Sequence, residues 1–306
     1  MQDAYDVIII GGSYSGLAAG MALGRALRRV LILDGGRPCN RQTPYSHNFL
    51  TQDGKAPAEI AALARRQVER YATVEFLSDT AVEGSREPGG FRIRTGTGAA
   101  YSARKLIFAT GIRDILPGIP GFAACWGISV LHCPYCHGYE VRNRPTGFLG
   151  NGDPGYEFAL LLRNWTAELT VFTNGPSKFT RDQASALAAR GIGIAEAPIA
   201  ELEHSEGNLR SVRFADGSGI PLTALYARAP FEQHCAIPST LGCESTPEGY
   251  LKVDPLQLTT QPGAYACGDN SSAMRTVANA VASGTTAGMM VNKEMALENP
   301  YPHLVR

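Results

Sequence analysis

The chain has 306 residues, enough for more than one hydrophobic core, and its Lys+Arg and Asp+Glu each number 28. That balance supplies no field for nucleic acid or an anionic membrane surface, and no apolar run approaches the roughly 20 residues of a membrane span. Seven cysteines, with no basic signal-like region before the first strand, fit a reducing cytoplasm better than a disulfide framework.

Asp6 to Ile10 is a short β-branched run stopped by Gly11-Gly12 and reads as a buried strand. Ser15 to Leu27 follows with helical spacing, then Arg29 to Leu33 as a second buried strand, which makes a βαβ start. Ala58 to Tyr71 is an amphipathic helix with Arg65, Arg66 and Glu69 on its polar face. Phe91 to Thr95 alternates as a half-exposed antiparallel strand does, and Lys105 to Ala109 is buried again. Leu116-Pro117-Gly118-Ile119-Pro120-Gly121 breaks the pattern as a hinge would.

Beyond the hinge the plan repeats. Thr146 to Leu149 is a strand, Pro154 to Arg163 a helix, Leu169 to Thr173 a strand and Arg181 to Arg190 a helix. Asp216-Gly217 turns between two extended runs, and around Pro230 to Pro238 the chain crosses back. Gly263 to Cys267 is a last strand, and Thr276 to about Leu297 a closing helix. The expected fold is α/β, with two nested dinucleotide-binding units, each a parallel sheet plus a small antiparallel one. Residues 1–115 and 238–306 form the outer unit and 116–237 the inserted one.

Gly11-Gly12-Ser13-Tyr14-Ser15-Gly16 lies between a strand and a helix, where glycines admit a pyrophosphate and the helix start offers N–H groups. Asp34, 23 residues after Gly11, ends the next strand where an acid would hold a ribose. Gly150-Asn151-Gly152-Asp153-Pro154-Gly155 keeps three glycines, Gly150, Gly152 and Gly155, in the same context. Its second strand, however, ends Phe172-Thr173-Asn174-Gly175, with no acid for a ribose and no arginine pair for a 2′-phosphate. NADPH or NADH binding is therefore doubtful there, and the alternative is a fold kept to position the cysteines.

His132-Cys133-Pro134-Tyr135-Cys136-His137 carries the chemistry. A C-x-x-C pair cycles between dithiol and disulfide, and an adjacent histidine can move the proton. Zinc would need a second close pair, which Cys235 and Cys243 do not make, so no metal is expected. C-x-x-C-H also matches haem attachment in exported proteins, and Cys-Pro-Tyr-Cys the glutaredoxin tetrapeptide in a different chain order. Cys39, Cys125, Cys235, Cys243 and Cys267 read as small buried residues, and His47 as a surface or cofactor-facing histidine.

In their order, the Gly11–Gly16 loop, the C-x-x-C pair before a nested fingerprint and Ala266-Cys267-Gly268-Asp269 resemble the low-molecular-weight thioredoxin reductase family over almost the whole chain. Cys-Pro-Tyr-Cys-His-Gly-Tyr-Glu resembles its dithiol-oxidase branch, which forms disulfides in small molecules and passes electrons to oxygen. The resemblance implies FAD, held by Gly11, Gly12, Ser13, Ser15, Gly16, Asp34, Gly35, Arg41, Asn48, Val82, Ala109, Thr110, Gly111, Gly268, Asp269, Thr276 and Val277. It implies that Cys136 faces the flavin, that Cys133 exchanges with substrate, and that His137 stands where the family usually has an aspartate. The expected activity is dithiol/disulfide exchange with a thioredoxin-like protein or small molecule, as a homodimer. A reductase fed by a donor other than NADPH, or a non-enzymatic redox sensor, are the alternatives. The resemblance further implies that tail residue Tyr301 or His303 covers the flavin.

Overall fold

The computed structural model describes residues 5–298; Tyr301 and His303 lie outside the described residues. These residues divide into two compact units, one of 5–41, 48–113 and 231–298, the other of 42–47 and 114–230. The return at 230, rather than 237, has a plain cause: Phe231–Gln233 (β16) pairs with Ile112–Asp114 (β7) as soon as the chain comes back.

In the first unit, Tyr5–Ile10 (β1) forms because Val7, Ile8, Ile9 and Ile10 are β-branched and covered on both faces. It runs parallel to Val30–Leu33 (β2) and to Ala100–Phe108 (β6), with Ile10 opposite both Leu33 and Phe108. Val74–Leu77 (β3) continues the sheet beyond β2. β6 forks. Its first half pairs antiparallel with Gly90–Thr95 (β5), which leads to Ala81–Glu87 (β4), and its last residues pair in parallel with Ala264–Ala266 (β17). The ends of β1, β2, β6 and β17 therefore share one edge, where ligands of such sheets bind.

Three helices cover the sheet. Tyr14–Arg25 (α1) stops two residues before the expected Leu27, which takes a left-handed φ of 60°. Pro57–Val68 (α2) packs beside it, and Val277–Glu298 (α8) crosses it closely. The approach needs glycine: a Cβ on Gly288 would lie 2.7 Å from the Ala19 carbonyl oxygen, and one on Gly284 would overlap the Ser15 backbone. The far end of α8 is pinned by Lys105, whose buried amine donates to Glu294 at 2.7 Å and Glu298 at 2.5 Å. A short helix, Ile237–Thr240 (α7), caps the antiparallel strands; a Cβ on Gly84 of β4 would run into Ile237.

In the second unit, five parallel strands stand in the order Ile192–Ala195 (β11), Leu169–Phe172 (β10), Thr146–Leu149 (β9), Ala224–Ala227 (β15) and Val130–Leu131 (β8). Gly152–Leu162 (α5) lays Phe158, Ala159 and Leu162 on this sheet. It begins two residues before the expected Pro154, because Asn151 caps it. Arg181–Ala188 (α6) starts with a full capping box between Thr180 and Gln183. Ile199–Ser205 (β12), Asn208–Phe214 (β13) and Gly219–Pro221 (β14) form an antiparallel sheet. Its Leu202, Leu209, Val212 and Phe214 pack with Phe172 and with Phe122, which opens Phe122–Cys125 (α3). The chain is thus α/β, with two Rossmann-like parallel sheets and small antiparallel additions.

Candidate functional site

The first glycine loop is an open cradle. Gly11 has φ 111°, and a Cβ there would overlap the Ala109 carbonyl; one on Gly16 would overlap the Gly11 carbonyl. A Cβ on Gly12 would fall 2.6–2.7 Å from the Asp34 side chain, so the loop passes hard against the acid that ends β2. Ser13 is the N-cap of α1, yet its side chain makes no cap hydrogen bond, and the first turn carries no acid. The helix therefore presents its first N–H groups to whatever enters.

The opposite wall comes from the ends of β6 and β17. Gly111 and Gly268 have φ 61° and 85°, and a Cβ on Gly268 would sit 2.7 Å from Ser15 Oγ. Between these two ends lies Asn270, fully buried, donating to the Phe108 carbonyl at 2.8 Å and to Thr110 Oγ1 at 3.1 Å. It went unnoticed in the sequence, though it directly follows Gly268-Asp269. Asp269 lies 3.8 Å from Arg275 Nε, and Cys39 donates its thiol to Asp269 at 3.6 Å. Cys39 is thus exposed at the cradle, not the buried small residue expected. Cys235 is only partly buried, whereas Cys125, Cys243 and Cys267 are buried.

The remaining expected positions divide. Gly35 abuts Thr80; Asn48 takes φ 59° and its N–H donates to Asp53 at 2.7 Å; Thr276 accepts from Asn279 N–H at the start of α8, just before Val277. Arg41 donates to the Pro38 carbonyl, and Val82 is an exposed β4 residue beside Gly96. The glycine cradle, the helix start and Asp34 fit a pyrophosphate-bearing dinucleotide.

The second glycine loop differs at one side chain. Asn151 Oδ1 accepts from Gly152 N–H at 2.9 Å and from Lys178 N–H at 2.7 Å, while its Nδ2 donates to the Pro176 carbonyl at 3.0 Å. One amide thus stitches the fingerprint loop to the segment after β10 and takes up a helix-start N–H. Asp153 is held by Gln183 at 2.8 Å. Thr173, which follows β10 as Asp34 follows β2, donates its hydroxyl to the Gly175 carbonyl at 2.7 Å, and the next residue, Asn174, has φ 49° and accepts from Ile199 N–H at 2.8 Å. A Cβ on Gly152 would meet open space, whereas one on Gly150 would run into the Phe148 ring and one on Gly155 would lie 3.5 Å from Phe179. These residues do not fit a nicotinamide dinucleotide: its phosphate donor and its ribose partner are both committed inside the unit.

Cys133 and Cys136 are joined as a disulfide, with Cα atoms 5.3 Å apart, a spacing that a bridge requires. They flank a single helical turn, Pro134–His137 (α4), too short to read from periodicity. Proline occupies its first position, where no N–H is needed, and Cys133 is its N-cap. Cys133 Sγ accepts from Cys136 N–H at 3.1 Å, an arrangement that favours negative charge on that sulfur. Tyr135 and Tyr139 are exposed on either side, Tyr135 edge-on to Trp165 at 5.4 Å and Tyr139 under the Arg142 guanidinium at 3.8 Å.

His137 follows directly. Burial, helped by nearby His47, pulls its pKa from 6.5 down to about 4, so it is a neutral base at neutral pH. His47 is no surface residue: its ring lies edge-on to His137, and Glu140 is 3.6 Å away.

A dinucleotide cradle in one unit and a C-x-x-C disulfide with its own base in the other define a flavin-type disulfide oxidoreductase. The chain belongs to the pyridine nucleotide-disulphide oxidoreductase family, which it matches over residues 5–284. It is 35% identical over 301 residues to thioredoxin reductase tcpT of Claviceps purpurea, covering 95% of this chain and 94% of that one. An oxidoreductase from Agrobacterium tumefaciens shares 39% identity at a TM-score of 0.91, over 96% of this chain and 99% of that one. The solved structure of HlmI shares 33% at a TM-score of 0.91, over 97% and 94%. The protein is a thioredoxin reductase-like flavin oxidoreductase, and no helix among the described residues is long and apolar enough to cross a membrane.

Proposed function

We propose that this protein is an FAD-dependent dithiol oxidase: it draws two electrons from a dithiol through Cys133–Cys136 and passes them to oxygen rather than exchanging them with NADPH. The observation that carries this reading is the Asn151 amide lying across the second glycine loop while the first stays open. FAD, with its pyrophosphate, suits the cradle of Gly11, Gly12, Ser13, Gly16 and Asp34, with Asp269 and Thr110 on the facing wall. When bound, FAD would supply the two-electron store between dithiol and acceptor. Overall, one dithiol and one O2 become one disulfide and one H2O2, which balances atoms and electrons.

The chain's own residues do the exchange. A substrate thiolate attacks Cys133 Sγ, and Cys136 leaves as a thiolate. The second substrate sulfur then attacks the first, which closes the substrate disulfide and releases Cys133, with the Cys136 N–H steadying its charge. His137, neutral at pH 7, takes the proton of the incoming thiol. The exposed Tyr135 and Tyr139 offer apolar surface beside the pair for the body of the substrate.

A second reading, in which the pair runs backwards and reduces a thioredoxin-like protein, is favoured by the name of the Claviceps purpurea relative. The same proposal has the protein act as a homodimer in the cytoplasm, which light scattering and cell fractionation test. Oxygen uptake separates the two directions. With dithiothreitol and no nucleotide, the FAD-loaded protein should consume oxygen and form peroxide in step with disulfide. Absence of uptake, together with NADPH-driven disulfide reduction, would restore the reductase.

A further inference from the structure

His47 stands beside His137 and Glu140 beside His47, and the exchange just described uses neither. His47 lies far from the pair in sequence, on the segment 42–47, yet that segment belongs to the unit that carries the cysteines. It lies tightly there: a Cβ on Gly127, which has φ 77°, would fall 3.0 Å from Thr43 Oγ1 and 3.2 Å from the Gln42 side chain. So placed, the His47 ring stands at 88° to that of His137 with centroids 6.3 Å apart, and its Nδ1 is 3.6 Å from Glu140 Oε1. The rings make no direct hydrogen bond in this edge-on arrangement, so a proton passing between them would travel through a water. The His47 side chain is 18% exposed and that of Glu140 39%, so the line from His137 runs outward to solvent.

The exchange leaves one proton over as long as Cys136, released as a thiolate, stays ionised, and that proton has to leave. A substrate S–H bond breaks and its proton goes to His137, while the sulfur bonds to Cys133 as the Cys133–Cys136 bond breaks and the electron pair departs on Cys136. The second substrate sulfur then displaces Cys133, and its proton stays on the cysteine pair. The enzyme disulfide is the only oxidant required. The first proton is left on His137, where burial and the neighbouring imidazole both disfavour it. A base that holds a proton so weakly passes it on readily but needs an acceptor. The ionisable group that acts on it is His47 from the 42–47 segment, with Glu140 against His47; Glu140 also acts on Tyr226 of β15. Burial and the Glu140 charge keep the Tyr226 phenol protonated.

We infer that His47 and Glu140 form a relay that carries this proton from His137 to water, with His47 the transfer residue and Glu140 its carboxylate partner. The inference rests on the dithiol reading above, and one experiment distinguishes their failures. Oxidised, FAD-loaded, full-length protein is mixed anaerobically with dithiothreitol across a range of pH. Thiols appearing at Cys133 and Cys136 are trapped by rapid alkylation and counted by mass spectrometry, a readout independent of turnover. His47→Gly should slow their appearance by about ten- to a hundredfold, within the range of general acid–base effects, and added imidazole should restore it. His47→Gln, which keeps a polar side chain but carries no proton, should be slow with a wild-type fold. Glu140→Gln should weaken the rate less and change its pH profile. A wild-type rate in His47→Gln, or a slow His47→Gly that imidazole leaves unchanged, overturns the relay alone. A wild-type protein whose disulfide dithiothreitol does not reduce overturns the dithiol reading and the relay with it.

Discussion

The loops Gly11–Gly16 and Gly150–Gly155 follow the same strand-turn-helix plan, and each lies at the end of a first parallel strand. In the first, the N-cap is Ser13, whose side chain makes no cap bond, and the acid ending β2 lies against the loop. In the second, the N-cap is Asn151, which caps its own helix and ties down Lys178 and Pro176. Charged or buried hydrogen bonds of this kind are worth about 1–3 kcal/mol each, so committing one donor internally costs a ligand roughly ten- to a hundredfold in affinity. A glycine fingerprint therefore reports how closely backbones approach; whether a nucleotide binds depends on what else claims the same N–H groups.

The third glycines should break the symmetry most. A Cβ on Gly16 would overlap the Gly11 carbonyl, whereas one on Gly155 would meet Gly150 C at 3.2 Å and Phe179 at 3.5 Å. We expect Gly16→Ala to cost about 2–4 kcal/mol and to strip the flavin, and Gly155→Ala to stay within about 1 kcal/mol. Urea unfolding and the flavin absorbance of purified protein check both. Equal losses in the two variants would mean that the loops are not the different structures described.

Much of this contrast was legible in the sequence. The βαβ starts and the missing acid after β10 followed from β-branched runs and glycine spacing, because local sterics and burial on both sheet faces dictate them. The Asp216-Gly217 turn between β13 and β14 was equally plain. What stayed hidden depends on residues distant in the chain. The meeting of His47 with His137 arises only because segment 42–47 joins the cysteine-bearing unit, and no periodicity encodes that. Asn270 hides behind the glycine-aspartate signal that precedes it, and Cys39 was misread because spacing says nothing about exposure. α4 is one turn held by a proline and a sulfur cap, below the length at which a helical pattern can be seen.

In the second unit, His137 should produce a pH effect. The folded pKa of His137, about 4, lies below its ordinary 6.5, so the fold favours the neutral ring. Its contribution to stability is whole above pH 6.5 and is lost as pH falls toward 4, by at most about 3 kcal/mol. Unfolding followed at pH 7 and pH 5 should show this loss in the wild type and a shallower one in His137→Gln. The same slope in both would remove His137 as its source.

Asn151 offers the smallest and most pointed change. Asn151→Gly should weaken the α5 cap by only a few tenths of a kcal/mol, since glycine is itself a tolerable cap. It should also free the Gly152 N–H and tighten NADPH and NADH binding about tenfold, read by calorimetry. Unchanged affinity would show that the latch is not what keeps nucleotides out.

The central claim, that electrons enter from dithiols and not from nicotinamide, is tested most directly by an anaerobic titration of the FAD-loaded protein. Followed at the flavin band, dithiothreitol should bleach it with wild-type protein and fail to do so with Cys133→Ser, while NADPH and NADH leave it nearly unchanged on the same timescale. Rapid bleaching by micromolar NADPH would contradict the account and make the second glycine loop a working nucleotide site.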